Sequence, residues 1–188
     1  MTTYVAFLRA INVGGQNLIK MKDLAQIFAA AGCQNVQTYI QSGNVIFDSK
    51  SNHSDELARK IERTIQQTLS YKVPVILRTL SELEALIARN PFRKIKTADE
   101  AMPFVVFFSN QTKLTPKLPL RSIKENVELF EIENGAAFVV VGRQQNGRSG
   151  SPNAVVEKEL GAVGTTRNWN TINKIVEFRR GARSEARR

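Results

Sequence analysis

The spacing of hydrophobic positions changes along the first 80 residues, and each change marks a new element. Residues 4–9 are apolar at almost every position, which is typical of a central strand buried on both faces of a sheet. Between Met21 and Phe28 the apolar residues recur at i, i+3, i+4 and i+7. This spacing predicts a helix over residues 20–31 that ends at Gly32.

A hairpin and a second helix are predicted next. Residues 36–41 and 45–48 are predicted to be strands, joined as a short hairpin by the Ser-Gly-Asn turn between them. Apolar residues then recur every four positions from Leu57 to Leu69, which predicts a helix. Ser54, directly before this stripe, is its expected N-cap.

The fourth predicted strand, residues 73–77, fixes the expected topology. Its Pro74 has no N–H to donate, so this strand belongs at the edge of a sheet. The order strand, helix, strand, strand, helix, strand over residues 1–80 predicts a ferredoxin-like βαββαβ sandwich. Its strand order would be 4-1-3-2, in which the fourth strand is an edge strand.

The second half of the chain shows a similar but weaker alternation. Residues 81–101 are predicted to be a linking helix and connector, with Ser81 and Glu84 as a capping box and Asn90-Pro91 as the stop. Residues 102–178 form the second predicted unit. Its signals are a buried strand at 104–109, at most a short helix within 110–124, strands at 127–133 and 136–141 about an Asn-Gly turn, a helix from Ser151 to Gly161, and a last helix marked by Trp169, Ile172, Ile175 and Val176.

These elements predict an α+β protein made of two α/β units. The second unit is expected to be a related βαββα unit, ending in a helix where the first unit has a strand. Residues 179–188 are expected to form a basic tail, because they contain five arginines against one glutamate.

The charge balance bears on the class of partner. The formal net charge is +10; the tail contributes +4 of this and leaves +6 on the body. A basic balance favours polyanionic partners such as nucleic acid or acidic membranes. The alternative is a solvated basic tail on an ordinary body, since a high pI alone does not identify a partner.

The composition also restricts the chemistry. Cys33 is the one cysteine and His53 the one histidine, so neither a disulfide nor a zinc site is expected. The sequence also contains no cofactor-binding pattern such as a P-loop. A nucleophilic Cys33–His53 pair is the less favoured alternative to a half-buried thiol and a solvated imidazole. The longest apolar run, residues 102–108, is far shorter than the roughly 20 residues that span a bilayer, and no signal peptide is recognised. A cytosolic location without a membrane partner is therefore expected.

A candidate site is predicted where three polar segments should meet. Because the first and third strands should run antiparallel side by side, the loop after the first strand, the hairpin turn and the start of the first helix should share one end of the sheet. Glycine-rich loops and helix N-termini offer N–H groups to anions. The predicted ligand-binding residues of this site are Arg9, Asn12, Gly14, Gly15, Lys20, Gln41, Ser42 and Asn44.

Structural roles compete with binding at this site. The two glycines could only relieve a tight turn, Asn44 could only occupy a left-handed turn position, and Arg9 could pair with a carboxylate such as Asp48.

A second candidate lies at the start of the last helix. Arg167 is a possible anion clamp, Asn168 or Thr166 a possible cap, and Trp169 a possible stacking platform. For Trp169 we favour the alternative that it anchors the last helix in the core. The basic loop over residues 143–148 could contact phosphates or could be merely exposed.

Several segments together resemble a known family. Residues 4–15 (YVAFLRAINVGG), 38–47 (TYIQSGNVIF), 157–158 (EK) and 165–171 (TTRNWNT) are similar, in order, to a bacterial family known only as domain of unknown function 1697. The resemblance implies a compact α/β protein with ferredoxin-like subdomains. It implies no activity, substrate or catalytic residue.

Three functions stay open on the sequence, and whether the protein is an enzyme stays open with them. The favoured one is binding of a phosphate- or carboxylate-bearing small molecule at the loop after the first strand. The second is nucleic-acid binding, for which the charge is suitable but the aromatic RNA-recognition signature is missing. The third is a protein-interaction module without a small ligand.

Overall fold

The computed structural model of the 188-residue chain describes residues 1–15, 17–93, 95, 101–109, 116–142 and 150–185, and the side chains up to residue 182. It is an α+β protein with two antiparallel sheets. In chain order its elements are β1 (Thr2–Leu8), α1 (Met21–Ala30), β2 (Gln34–Tyr39), β3 (Asn44–Ser49), α2 (Ser54–Leu69), β4 (Val75–Thr79), α3 (Leu80–Arg89), β5 (Met102–Phe108), β6 (Leu120–Ser122), β7 (Val127–Glu133), β8 (Ala136–Val141), α4 (Pro152–Leu160), β9 (Gly164–Asn168) and α5 (Trp169–Glu185).

The chain divides into two compact units. One comprises Met1–Ala85 together with Ile175–Arg188, and the other comprises Leu86–Lys174. The division falls within α3 and within α5, so the second half of α5 belongs to the first unit.

The first sheet has the strand order β2-β3-β1-β4. The edge position predicted for the fourth strand is therefore confirmed, although Pro74 lies one residue before β4 rather than inside it. Every residue from Tyr4 to Leu8 is at most 2% exposed, which confirms that β1 is buried on both faces.

One face of this sheet packs against α1 and α2. Tyr4 and Phe47 from the strands stack with ring centroids 5.8 Å apart, and Phe28 of α1 meets Phe47 edge-on at 5.4 Å. The four-residue spacing of Leu57, Ile61 and Ile65 places all three on the buried side of α2. The predicted stripes therefore face the core.

The second half of α5 also packs against strands of the first unit. Arg179 is buried and forms a salt bridge with Asp48 of β3, and Phe178 lies 5.5 Å from Tyr39 of β2 between ring centroids. The expectation that the basic tail begins at residue 179 is thus wrong for Arg179, because its guanidinium neutralises a buried carboxylate.

The second sheet has the order β6-β7-β8-β5-β9. The hairpin β7–β8 turns at Asn134 and Gly135, both with positive φ, as predicted. Of the segment 110–124, expected to hold at most a short helix, the structure describes residues 116–124, and residues 120–122 of these form the edge strand β6. The expectation that helix α4 is followed directly by the final helix is wrong, because the strand β9 lies between them.

Helix termini show how far local signals reach. Ser151 caps α4 by accepting the Ala154 N–H, and Gly161 ends this helix with φ +63°, as predicted. Two caps were placed wrongly. Ser54 is the first helical residue of α2, and His53 occupies the N-cap position. The capping box of α3 is formed by Thr79 and Glu82, whose side chains exchange hydrogen bonds with each other's backbone N–H groups.

No helix within the described part of the chain is long and apolar enough to cross a membrane.

Candidate functional site

The strand register brings the predicted segments to one end of the first sheet. In the antiparallel pair of β1 and β3, Phe7 lies opposite Asn44, and the Leu8 N–H donates to the Gly43 carbonyl at 2.9 Å. The Arg9 N–H donates to the Pro74 carbonyl at 3.0 Å, just before β4. We call this end of the first sheet the rim; it consists of residues 9–15 and 17–20, the turn at 40–43 and the connection at 70–74. Gln16 of the same loop lies outside the described residues.

The loop between β1 and α1 is closed by asparagine side chains. Asn12 donates from Nδ2 to the Ile19 carbonyl at 3.1 Å and accepts the Ile19 N–H on Oδ1 at 2.8 Å. Asn17 donates from Nδ2 to the Ala10 carbonyl at 3.0 Å. The Asn12 amide therefore holds the loop together, and its role as a ligand donor is not supported by these contacts.

Gly14 and Gly15 form the open tip of this loop. Both are exposed, with φ +59° and +75°, and a Cβ added to either would meet no atom within 4 Å. Glycine is thus required by the left-handed backbone and not by lack of space. The backbone at this tip faces open solvent.

The hairpin turn is held by Asn44. This residue is fully buried, and its Nδ2 donates to the Tyr39 carbonyl at 3.2 Å and to Ser42 Oγ at 2.8 Å. A Cβ on Gly43 would lie 3.0 Å from Leu8 Cβ, so this residue has to be glycine for β1 to approach the turn. Gln41 remains exposed beside it. Asn44 and Ser42 therefore shape the turn.

The start of α1 supplies the remaining features of the rim. Lys20 is exposed, has an extended backbone, and occupies the N-cap position without a side-chain hydrogen bond to the first turn. Asp23 lies in that turn and offsets part of the positive end of the helix dipole. The groups best placed for a ligand are thus the charges of Arg9 and Lys20 and the backbone N–H groups nearby.

Arg9 does not pair with Asp48, which was one alternative for it. Asp48 lies opposite Thr3, six residues back along β1 from Arg9, which corresponds to about 20 Å of strand.

The partner of Asp48 is Arg179, which donates from Nη2 to both carboxylate oxygens. Sequence reasoning missed this buried pair, because 131 residues separate the two.

The second predicted site is taken up by internal contacts. Arg167 is buried in β9, donates from Nη1 to Thr165 Oγ1 and to the Thr166 carbonyl, both at 2.8 Å, and burial lowers its pKa to about 10. Asn168 Oδ1 accepts the Asn170 N–H and so caps α5. Trp169 packs against Phe92 at 5.2 Å between ring centroids, in agreement with the favoured structural role. The basic loop at 143–148 lies outside the described residues.

Cys33 lacks the properties of a nucleophile. It is buried, and its burial raises its pKa to about 12, with a small opposite effect from Lys60. The thiol is therefore protonated at neutral pH, and a Cys33–His53 pair is not supported. Among the described residues, no group of three or more His, Cys, Asp or Glu side chains could hold a metal ion.

Two clefts lie away from the rim. One, of about 350 Å³, is at the opposite end of the first unit between Gly32, Ser51 and Lys60. The other, of about 620 Å³, is in the second unit between β6 and α4. At Gly14 and Gly15 the rim is open to solvent, so a ligand at this tip would bind through polar contacts more than through enclosure.

A family model matches residues 1–138, most of the chain, and covers the whole rim. The chain belongs to the family of proteins of unknown function DUF1697. The solved structure of a conserved bacterial protein from Streptococcus pneumoniae is 21% identical to this DUF1697 protein and superposes with a TM-score of 0.63, covering 94% of this chain and 97% of that chain. At this identity the similarity shows the fold alone. No curated protein matches this chain.

Proposed function

We propose that this DUF1697 protein binds a small phosphate- or carboxylate-bearing molecule at the rim. The observation that carries the proposal is the juxtaposition made by the β1–β3 register, in which Arg9, the open Gly14-Gly15 tip and the start of α1 share one end of the sheet. Backbone N–H groups and cationic side chains are the groups that proteins use to hold an oxyanion.

The rim divides into a scaffold and a binding part. The Asn12 and Asn44 amides fix the loop and the turn, so that Arg9 and Lys20 are presented from ordered backbone. Preorganised donors lose less entropy when they bind a ligand than mobile ones do. The proposed activity is binding, in which the ligand's negative charge is matched by two cations and by the first-turn N–H groups of α1.

We further propose that each unit is ferredoxin-like. The strand order β2-β3-β1-β4 in the first unit and the order β7-β8-β5-β9 within the second sheet support this assignment. The cytosolic location stays a prediction.

Thermal unfolding in phosphate tests the binding proposal. A ligand present at 100 times its Kd stabilises a protein by about 2.7 kcal/mol, which raises the Tm of a domain of this size by roughly 5–10 °C. We expect inorganic phosphate to raise the Tm more than chloride does at equal ionic strength. Arg9→Ala should remove this difference between phosphate and chloride.

Arg59→Ala is the matched control. Arg59 is exposed in the second turn of α2, at the end of the unit away from the rim, and its removal lowers the net charge by the same amount. If both variants reduce the phosphate effect equally, general attraction by the net charge of +10 explains the binding and the rim site is wrong. Absence of any phosphate-specific shift in the wild type, over millimolar concentrations, would also reject it.

A further inference from the structure

The cleft in the second unit has the size of a ligand site. It lies between the edge strand β6 and helix α4 and is an open groove with a volume of about 620 Å³, within the range of about 300–1,000 Å³ that is usual for binding pockets. Leu120 of β6 and Val155 of α4 provide apolar surface on its two sides. The cleft shares no residue with the rim, so a ligand of the cleft is independent of the function proposed for the rim.

One wall of the cleft is a sheet edge. β6 is the last strand in the order β6-β7-β8-β5-β9, and among the described residues it pairs on one side only, with Leu120 opposite Leu129 and Ser122 opposite Val127. The N–H and C=O groups on the other side of such a strand are a template for an added strand. A groove bounded by an edge strand and a helix lets an added peptide bond to the strand and place alternate side chains against the helix.

The turn that follows β6 is rigidly held but presents an apolar side chain. Glu125 anchors it by accepting the Ser151 N–H on Oε2 at 2.9 Å, and the Asn126 carbonyl accepts the Gly142 N–H at 2.9 Å. At its tip Ile123 is 96% exposed. The bonds fix the turn while leaving this isoleucine in water, where its burial against a partner would be favourable.

The charges around the cleft favour an acidic partner. Arg121, Lys124 and Lys158 line it together with the carboxylates of Glu125 and Glu159. The lining cations thus exceed the lining carboxylates by one. Arg121 Nη2 lies 3.2 Å from Glu128 Oε1, and Lys158 Nζ lies 3.6 Å from Glu159 Oε1. The Arg121 and Lys158 side chains are 74% and 82% exposed, so their present ion pairs are weak and can be exchanged for a partner's carboxylates.

We propose that this cleft binds an acidic, extended peptide segment, which adds as a strand beside β6. The peptide backbone bonds to the outer side of β6, its carboxylates meet Arg121 and Lys158, and an apolar side chain packs in the cleft between Leu120 and Val155. Because β6 has only three residues, few backbone bonds form, and the charges and apolar contacts supply most of the selectivity.

Fluorescence anisotropy with the full chain tests this proposal. The probe is a labelled six-residue peptide that alternates glutamate and valine, with blocked termini. Two comparison peptides carry lysine in place of glutamate, or N-methyl groups on alternate backbone amides. We expect the acidic peptide to bind at least tenfold more tightly than either, because the first change reverses the charge match and the second removes the N–H donors of an added strand.

The variant Arg121→Glu/Lys158→Glu should weaken binding of the acidic peptide about tenfold or more, since it removes two ion pairs with the peptide and adds repulsion. Lys117→Glu/Lys174→Glu is the matched control, because both lysines are exposed in the same unit and neither lines the cleft. Equal binding of the N-methylated peptide, equal loss in both double variants, or no binding of the acidic peptide at millimolar concentration would each overturn the proposal. Acetylated glutamate binding as tightly as the peptide would do the same, by showing a small-molecule site.

Discussion

Replacing Asp48 by asparagine tests whether the second half of α5 is a structural part of the first unit. The Asp48 carboxylate accepts hydrogen bonds from Thr3 Oγ1 at 2.6 Å and Asn35 Nδ2 at 2.8 Å. It accepts two more from Arg179 Nη2, at 2.9 and 2.7 Å. The two charged side chains are 12% and 9% exposed, so water screens their interaction little.

The magnitude depends on the contacts that asparagine cannot make. Asparagine has the shape of aspartate, but one oxygen becomes an N–H₂ group that has to face Arg179 and one further donor. The buried guanidinium then lacks its counter-charge. Removing one member of a buried ion pair costs about 3–5 kcal/mol, so Asp48→Asn should lower the free energy of unfolding by about that much. Arg179→Met should cost a similar amount, and the double variant clearly less than the sum, because it leaves no unpaired charge.

Urea unfolding followed by circular dichroism at neutral pH measures these differences. Glu177→Gln serves as control, since this carboxylate is exposed on the same helix and its change should stay within about 0.5 kcal/mol. A loss below about 1 kcal/mol for Asp48→Asn, or additive losses in the double variant, would refute the claim that the pair docks α5.

The pH dependence of stability gives a second readout of the same pair. Burial by itself would raise the pKa of Asp48, but hydrogen bonds from Thr3, Asn35 and Arg179 and the charge of Arg179 outweigh it and lower the pKa. A group with a lowered folded pKa stabilises the protein above its unfolded pKa of about 4 and loses this contribution as the pH falls through the folded value. Asp48→Asn should therefore flatten the acid side of the stability profile.

Two further predictions concern the first unit and its helix. Gly15→Ala should lower the free energy of unfolding by about 1–2 kcal/mol, because an L side chain is strained at φ +75°. Gly181→Ala should raise the free energy of unfolding by up to about 1 kcal/mol, because this glycine lies in open space within α5. Equal effects of the two variants in urea unfolding would contradict this prediction. Cys33 has a pKa of about 12 and little exposure, so it should resist alkylation by iodoacetamide at pH 8 in the native protein and react within minutes in urea. Mass spectrometry measures the alkylated fraction. Fast alkylation of the native protein would contradict the burial of Cys33.

Much of the fold could be predicted because its signals are local. The apolar run of β1, the stripe on α2, the Asn134-Gly135 turn and the Ser151 cap each depend on residues a few positions apart. Predictions failed where the deciding contact was not local. β9 has the sequence Gly-Thr-Thr-Arg-Asn, whose polar residues resemble a helix start, and it becomes a strand because it pairs with β5.

The candidate site shows the same division. The position of the rim was predictable, because antiparallel neighbours place the end of one strand beside the start of the other. Which side chains are available there was not predictable. Asn12, Ser42 and Asn44 are residue types that suit a ligand, yet their hydrogen bonds go to the loop and the turn.

The sequence by itself thus determined most of the elements, though not β6 and β9, as well as the edge position of β4 and the end of the sheet at which polar loops gather, since each depends on short-range spacing and chain direction. The tertiary structure alone decided that Arg179 leaves the basic tail to neutralise Asp48, that Arg167 is buried in β9, and that a cleft forms between β6 and α4. Burial and pairing of a charge depend on which distant segment packs beside it, and no local pattern of residues specifies that.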